Sequence, residues 1–258
     1  MIREFKLAKA NEIAHIDVLG IEHLAQVLAL QDATRSALTE EHKMFVLPQS
    51  SEYFVRLLER RNGLMVGVRV KGQLIAQIAL MGPMTLEDAV NRNTITRNEI
   101  PFHHAEPSDL TVVAKSMAVH PAWRGNELSQ HILEAALDQP LARTADHVFA
   151  QISVENARSW ELFLRHGFGI VAAAIDPSDL KPRFVLQKPA LGLALHPIPS
   201  IDNLDPSTDF AAIMRLTGRE ALIGQLDENG LNFRLAFHAG KNTAAAWTED
   251  GAEVVNQR

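Results

Sequence analysis

The chain has 258 residues, of which 47% are hydrophobic and 22% charged, and its formal net charge is −6. This composition predicts one large domain, or a domain with a small appendage, and it gives no general attraction for nucleic acid or anionic membranes. The absence of cysteine excludes disulfides, thiolate metal sites and cysteine nucleophiles.

The first 82 residues predict two helices and a hairpin. Alternating residues at 13–19 predict an edge strand, and the spacing of apolar residues predicts a helix over 21–38. A second helix should follow Ser50 or Ser51 as its N-cap and stop at Gly63. Residues 63–82 predict two strands joined at Lys71-Gly72. The N-terminus has no apolar segment of signal-peptide length, and no run could span a bilayer, so we expect a soluble, cytoplasmic protein.

A long polar segment at 83–110 has weak periodicity and internal prolines. It predicts an insertion with one helical turn near 86–90, and both a binding loop and disorder are consistent with it. Strands are then predicted at 111–120, 148–154, 169–174 and 183–187, with helices at 125–137 and 157–166.

The C-terminal part predicts a separate small extension. Repeated proline and glycine predict a linker over 189–206, which a helix at 208–216 follows. Residues 219–237 predict a hairpin that turns at Asn229-Gly230, and a polar, alanine-rich stretch from Ala239 predicts a loose terminus.

Two motifs between residues 113 and 168 carry chemistry. The first is an apolar strand, then Pro121, an Arg-Gly-Asn turn and an amphipathic helix. The first N–H groups of such a helix are unpaired and face the turn, where the helix dipole adds partial positive charge, so the turn can hold a phosphate. The second motif is a strand that ends at Asn156, a short helix and the stop Gly167-Phe168.

This pair of motifs resembles the acetyl-CoA core of the GNAT superfamily of N-acyltransferases. The resemblance implies an α/β (α+β) fold with a central mixed, mostly antiparallel sheet flanked by helices. It covers about residues 13–188, so we predict a GNAT domain over 1–188 with its insertion at 83–110, and a linker and helix–hairpin extension over 189–258. Acetyl-CoA, the implied co-substrate, would bind beside strands 111–120 and 148–154.

The resemblance also assigns roles to single residues. Backbone amides after strand 111–120 would bind the CoA diphosphate, with Glu127 and Ser129 in place of the usual small residues: Arg124, Gly125, Asn126, Glu127, Leu128 and Ser129. Asn156 and Ser159 would contact pantetheine. Phe163 stands where the family usually has a tyrosine that protonates the leaving thiolate, so that donor is absent.

The edge of strand 111–120 is expected to pair with pantetheine amides through Met117, Ala118 and Val119, and Pro121 ends this pairing. The Val119 amide would then act as an oxyanion donor. Ser116 and Glu155 are the further candidate catalytic residues. Other candidates for the general base are left open, namely Asp109, Lys115, His103 and His104.

The predicted activity is acetyl transfer from acetyl-CoA to an amine by direct attack in a ternary complex. The acceptor would be a small molecule or a protein lysine. The alternative is a catalytically weak or inactive acyl-CoA-binding protein that kept the fold. No metal is predicted, because no two of the 11 histidines form a His-x-x-x-His pair and carboxylates do not cluster beside them. We expect no nucleic-acid or membrane partner, and a homodimer to which the tail contributes.

Overall fold

The computed structural model describes residues 3–92, 94–95, 106–176, 179–189, 193–197, 209–217, 222–227, 230–238, 243–248 and 251–256. The chain forms two compact units. The first contains Met1–Pro83 and Val112–Thr144, and the second contains Met84–Thr111 and Ala145–Arg258.

Strands and helices alternate along much of the chain. The helices are α1 (Leu24–Ser36), α2 (Ser51–Leu58), α3 (Leu86–Asn91), α4 (Leu128–Leu137), α5 (Pro140–Arg143), α6 (Ala157–Arg165) and α7 (Phe210–Thr217). The strands are β1 (Arg3–Lys6), β2 (Ile13–Val18), β3 (Gly63–Val70), β4 (Gln73–Thr85), β5 (Leu110–Val119), β6 (His147–Ser153), β7 (Gly169–Asp176), β8 (Lys181–Pro189), β9 (Leu193–Pro197), β10 (Leu222–Asp227), β11 (Gly230–His238), β12 (Thr243–Thr248) and β13 (Gly251–Asn256).

The first unit orders its strands β1-β2-β3-β4-β5, and the pairs β1–β2, β2–β3 and β3–β4 are antiparallel. Strand β2 pairs on both sides, so the prediction that residues 13–19 form an edge strand is wrong. The added strand, β1, is only four residues long and mostly charged, so its sequence carries no alternation to read. The predicted hairpin at Lys71-Gly72 is confirmed.

Helices α1 and α2 supply much of the apolar core of this unit. The core cluster includes Val27 and Leu30 of α1, Phe54 and Leu57 of α2, and Ala118 of β5. Ser50 caps α2, because its side chain accepts a hydrogen bond from the Tyr53 amide at 3.2 Å. The helix ends at Leu58 rather than at Gly63, since Arg60 already adopts a left-handed conformation with φ of 58°.

The second unit orders its strands β6-β8-β7-β10-β11-β9, and each neighbouring pair is antiparallel. Its apolar core contains Phe149, Phe168 and Phe184, all fully buried. Trp160 of α6 packs edge-on against Phe184 and donates its indole N–H to the Val154 carbonyl at 3.0 Å. The helical turn predicted near 86–90 is α3, which Thr85 caps.

The C-terminal residues hold more regular structure than their composition predicts. The predicted linker contains β9, which pairs with β11, and the predicted loose terminus contains the hairpin β12–β13. The predicted hairpin is β10–β11, and it extends the sheet of its own chain because Gly224 of β10 pairs with Ile170 of β7. Strand β9 depends on pairing with the distant strand β11, whereas β12 and β13 pair with each other in a stretch whose alanine-rich, polar composition does not indicate strands.

Candidate active site

The turn between β5 and α4 leaves its backbone open to close approach by a ligand. Pro121 opens a short 3-10 turn, and the His120 ring nitrogen Nδ1 accepts a hydrogen bond from the Ala122 amide at 3.2 Å. Gly125 follows with φ of +81°, a left-handed conformation that favours glycine. The backbone therefore reverses here without a side chain in the bend.

Helix α4 begins at Leu128, three residues later than the sequence predicts. Glu127 is the reason, because it takes a left-handed conformation (φ 57°, ψ 19°) as the N-cap residue. The Glu127 carbonyl accepts the first helical hydrogen bonds, from the amides of Gln130 and His131. The amides of Leu128 and Ser129 thus lie in the first turn with no helical acceptor, which is the arrangement that binds anions.

Asn126 fixes the shape of this turn. Its side chain is buried, accepts a hydrogen bond from the Lys9 amide at 2.7 Å, and donates one to the Trp123 carbonyl at 3.0 Å. Lys9 comes from the loop between β1 and β2, 117 residues away in sequence. The sequence predicts Asn126 to be part of the CoA turn but gives no sign of this contact.

The Lys9 side chain adds a positive charge to the turn. A Cβ atom placed on Gly125 would collide with it, since the Lys9 Cε lies 3.0 Å from that position. Arg124 is exposed on the same turn. The turn therefore has two positive charges beside its backbone amides, from Lys9 and Arg124, and one negative charge, from the exposed carboxylate of Glu127. This balance favours an anionic ligand.

The predicted pantetheine edge lies at the end of β5 next to this turn. Ala118 is buried in the apolar core, while Met117 and Val119 are half-buried. The Val119 carbonyl lies 3.5 Å from the Thr34 hydroxyl of α1. Ser116 departs from strand geometry with φ of +53°, which is rare for a residue with a side chain.

A residue that sequence reasoning missed lies against Ser116. The Tyr53 hydroxyl of α2 is 3.1 Å from the Ser116 Oγ atom and 3.6 Å from the Met81 sulfur. Burial raises the pKa of Tyr53, an effect that the Ser116 hydrogen bond partly offsets. Tyr53 is the chain's only tyrosine, and that rarity is the one sequence signal that could have drawn attention to it.

The remaining predicted residues belong to the second unit. Asn156 occupies the N-cap position of α6, where its carbonyl accepts from the amides of Ser159 and Trp160. Its side chain makes no capping bond, and within the described residues it has no hydrogen-bond partner, so it is available to a ligand. Ser159 is half-buried, and Glu155 is exposed.

Phe163 is part of the core of the second unit. It is 3% exposed, and its ring packs edge-on against Phe168 with centroids 5.0 Å apart. The Phe168 amide bonds back to the Phe163 carbonyl, and Gly167 adopts φ of +83° between them. The terminal Gly-Phe of the motif thus closes α6 and holds the aromatic ring in place.

The comparisons with known proteins agree with this architecture. The model of the Acetyltransferase (GNAT) family matches residues 28–168, which is more than half of the chain. This protein belongs to the GNAT acetyltransferase family. Among curated protein sequences, none matches it.

Solved structures support the GNAT fold at low sequence identity. The GNAT domain of S. lividans PAT superposes with a TM-score of 0.51 at 13% identity, covering 73% of this chain and 96% of that one. Arabidopsis thaliana NAA60 in complex with acetyl-CoA gives 0.51 at 11% identity, covering 69% and 99%. The predicted family and the predicted α+β fold are therefore confirmed.

The general base of a GNAT reaction is not evident among the predicted candidates. Asp109 is hydrogen-bonded to the fully buried His147 at 3.0 Å, and it directly precedes Leu110, the first residue of β5, whereas Val119 is the last. His103 and His104 lie outside the described residues. We therefore expect Asp109 to stabilise the fold through its hydrogen bond to His147 rather than to remove a proton at the acetyl group.

Substituting Asp109 tests this structural role. We expect Asp109→Ala to lower the free energy of unfolding by about 1–3 kcal/mol, because buried His147 loses a hydrogen-bond acceptor, and to leave CoA affinity unchanged. Chemical denaturation and CoA titration measure both quantities. Asp146→Ala is the matched control, since that carboxylate accepts from the Leu110 amide on an exposed surface and should matter less. A large loss of CoA affinity in Asp109→Ala would contradict the assignment.

The backbone of Glu127 has a left-handed conformation that glycine adopts without strain. A left-handed conformation costs a residue with a Cβ about 1 kcal/mol. We therefore expect Glu127→Gly to raise stability by about that amount and to bind CoA equally well or better. Glu127→Gln removes the charge but keeps the strain, so it should improve binding without raising stability. Weaker CoA binding by Glu127→Gly would show that the carboxylate itself has a role.

In the described part of the chain, no group of three or more histidine, aspartate or glutamate side chains could hold a metal ion. Within the same residues, no helix is long and apolar enough to cross a membrane. The expectation of a metal-free reaction stays a prediction.

Proposed function

We propose that this protein is an N-acetyltransferase that transfers the acetyl group of acetyl-CoA to an amine by direct attack in a ternary complex. The observation that carries this proposal is the turn at 124–129, where left-handed Gly125 clears the bend and the first-turn amides of Leu128 and Ser129 remain without helical acceptors. Membership of the GNAT acetyltransferase family supports it.

The turn suits a CoA diphosphate in both shape and charge. The amides of the turn donate hydrogen bonds, while Arg124 and Lys9 supply positive charge. Asn126 keeps the turn in its binding shape through the bonds to Lys9 and Trp123. The φ of +81° favours glycine at position 125, and a Cβ there would also require the flexible end of the Lys9 side chain to move.

The strand edge and Asn156 are the proposed contacts of pantetheine. Met117, Ala118 and Val119 would pair with its amides through their backbone groups, and the Val119 amide is the oxyanion donor predicted from the resemblance. The side-chain amide of Asn156 is not engaged in capping α6, and Asn156 stays the pantetheine contact that the resemblance implies. Acetyl-CoA supplies a thioester carbonyl that an amine attacks, with a thiolate of pKa near 8.5 as the leaving group.

The acceptor is proposed to be a small-molecule amine or a protein lysine. The amine must be neutral to attack, and its proton passes to a base or to water. Glu155 and Ser116 stay candidates for handling that proton. Glu155 is exposed, whereas Ser116 has the half-buried phenol of Tyr53 beside it.

Binding and turnover should be measured separately. A thermal-shift series with CoA and acetyl-CoA tests the turn, and thiol release over a panel of small amines and lysine peptides tests the transfer. We expect stabilisation by both ligands and thiol release with at least one amine class. Stabilisation without turnover would favour the acyl-CoA-binding alternative, for which the apolar, buried Phe163 is the supporting observation. No stabilisation by either ligand would overturn the proposal.

A further inference from the structure

Tyr53 is a half-buried residue of the first unit whose hydroxyl lies beside an apolar cluster. Its ring packs edge-on against Phe54 with centroids 5.1 Å apart, and it borders the apolar core cluster. The hydroxyl reaches past this cluster to the Ser116 Oγ and the Met81 sulfur. A phenol in such a position keeps its proton at neutral pH, because burial raises the pKa of Tyr53. It is therefore a hydrogen-bond donor rather than a base.

Ser116 is held in an unfavourable backbone conformation. Its φ of +53° is unfavourable for a residue with a Cβ, and it interrupts the regular geometry of β5. Such irregularities in a strand redirect a side chain or free a backbone group. Here the redirected Oγ meets the Tyr53 hydroxyl at 3.1 Å. If Tyr53 and Ser116 only packed in the core, the strained backbone of Ser116 would have no purpose. Ser116 directly precedes Met117, where the predicted pantetheine edge begins.

The proposed direction of bound acetyl-CoA brings its thioester sulfur toward Tyr53 and Ser116. The diphosphate is placed at 124–129, and in CoA the sulfur is at the far end of pantetheine from the diphosphate. A chain that leaves the turn and runs back along Val119, Ala118 and Met117 therefore carries its sulfur toward Ser116. The distance from Val119 to Ser116 is about 10 Å along a strand.

We infer that the Tyr53 hydroxyl, positioned by Ser116, donates a hydrogen bond to the sulfur of acetyl-CoA as the carbon–sulfur bond breaks. This inference rests on the proposed function. It makes Tyr53 a catalytic residue and Ser116 its positioning residue. It also places the thioester near the Met117 amide, closer to Ser116 than the Val119 amide that the sequence predicts.

The atoms of the transfer balance with Tyr53 unchanged. The amine nitrogen forms a bond to the acetyl carbon, the carbon–sulfur bond breaks, and its electron pair stays on sulfur. The proton that nitrogen loses goes to solvent, and the departing thiolate takes a proton from solvent. Transfer of the phenolic proton itself is unfavourable, because the thiol pKa is near 8.5 and that of Tyr53 is raised above 10.0. The contribution of Tyr53 is stabilisation of the developing thiolate.

The single tyrosine gives a direct spectroscopic test. Protein labelled with 3-fluorotyrosine has one fluorine resonance, which can be followed at neutral pH while CoA and acetyl-CoA are added. We expect the resonance to shift with both ligands, with the same midpoint as the thermal-shift titration, and to start from a different position in Ser116→Ala.

Kinetics of two variants complete the test. Tyr53→Phe keeps the ring that packs against Phe54, so we expect unchanged CoA affinity and a kcat lower by about tenfold to a hundredfold. The loss should be largest for the least reactive amines. Ser50→Ala is the matched control, because it removes the cap of the same helix and leaves the hydroxyl in place. It should lower stability but retain kcat.

The outcomes separate the inference from the proposed function. If acetyl-CoA stabilises the protein but the fluorine resonance does not move, Tyr53 does not contact the ligand and the inference is overturned while the function stands. A shifted resonance together with full kcat in Tyr53→Phe also overturns the catalytic role. If neither CoA nor acetyl-CoA binds, the proposed function fails first.

Discussion

Gly125→Val should lower CoA affinity at least tenfold, which corresponds to about 1.4 kcal/mol. Two physical effects act in the same direction. Valine is strained at φ of +81°, and its Cβ would occupy the position against which the Lys9 side chain lies. A turn that relaxes to accommodate valine loses the alignment of its amides, and a displaced Lys9 ammonium no longer adds its charge. Isothermal titration with CoA measures the loss.

Gly72→Val is the matched control for this substitution. Gly72 has nearly the same conformation, with φ of +82°, but it lies in the hairpin turn between β3 and β4 and has nothing within 4 Å of an added Cβ. We expect both variants to lose stability from backbone strain and only Gly125→Val to lose CoA affinity. Unchanged CoA titration in a folded Gly125→Val protein would count directly against the proposed site.

Ending the chain at Pro189, close to Gln187, should lower the melting temperature by roughly 10 °C or make the protein insoluble. Phe210 packs against Phe184 with ring centroids 6.4 Å apart, and Ile213 is fully buried. Burial of these two side chains contributes about 3–5 kcal/mol, which corresponds to several degrees each. Truncation also removes β10 and exposes the edge of β7, and an exposed edge strand promotes aggregation.

The full-length double variant Phe210→Ala/Ile213→Ala separates packing from edge exposure. It removes the same apolar contacts but keeps β10 on β7, so it should lose stability and remain soluble. Light scattering of the two proteins also addresses the predicted homodimer. If the shortened chain stays dimeric and binds acetyl-CoA normally, the hypothesis of an interface built by the tail is wrong.

Local patterns in the sequence were sufficient for much of the fold. Helix α6, the β3–β4 hairpin and the short α3 each carry their own periodicity, cap or turn residues, and the structure contains all three. Strands β1 and β9 were not predicted, because their formation depends on pairing with other strands. The β12–β13 hairpin was missed because its alanine-rich, polar sequence predicts a loose terminus. Helix ends were misjudged where Arg60 and Glu127 adopt left-handed conformations that glycine usually marks.

The residues of the candidate site also differ in whether a local sequence pattern could predict them. The residues of the 124–129 turn and Asn156 could be named in advance because each belongs to a contiguous motif. Tyr53 and Lys9 could not, since their contacts to Ser116 and Asn126 join residues that are 63 and 117 positions apart. A short sequence motif thus indicates where backbone groups are available, but not which distant side chains supply charge and hydroxyl groups beside them.

The bond between Lys9 and Asn126 has a consequence for folding order. A contact between residues so far apart closes a long loop, and this closure costs conformational entropy before the contact can form. The ring contact between Phe5 and His131 joins the same two regions. The motif at 113–137 should therefore not assume its anion-binding shape in an isolated peptide or in a partly folded chain. Ligand binding by this turn would therefore report that the N-terminal strand has docked.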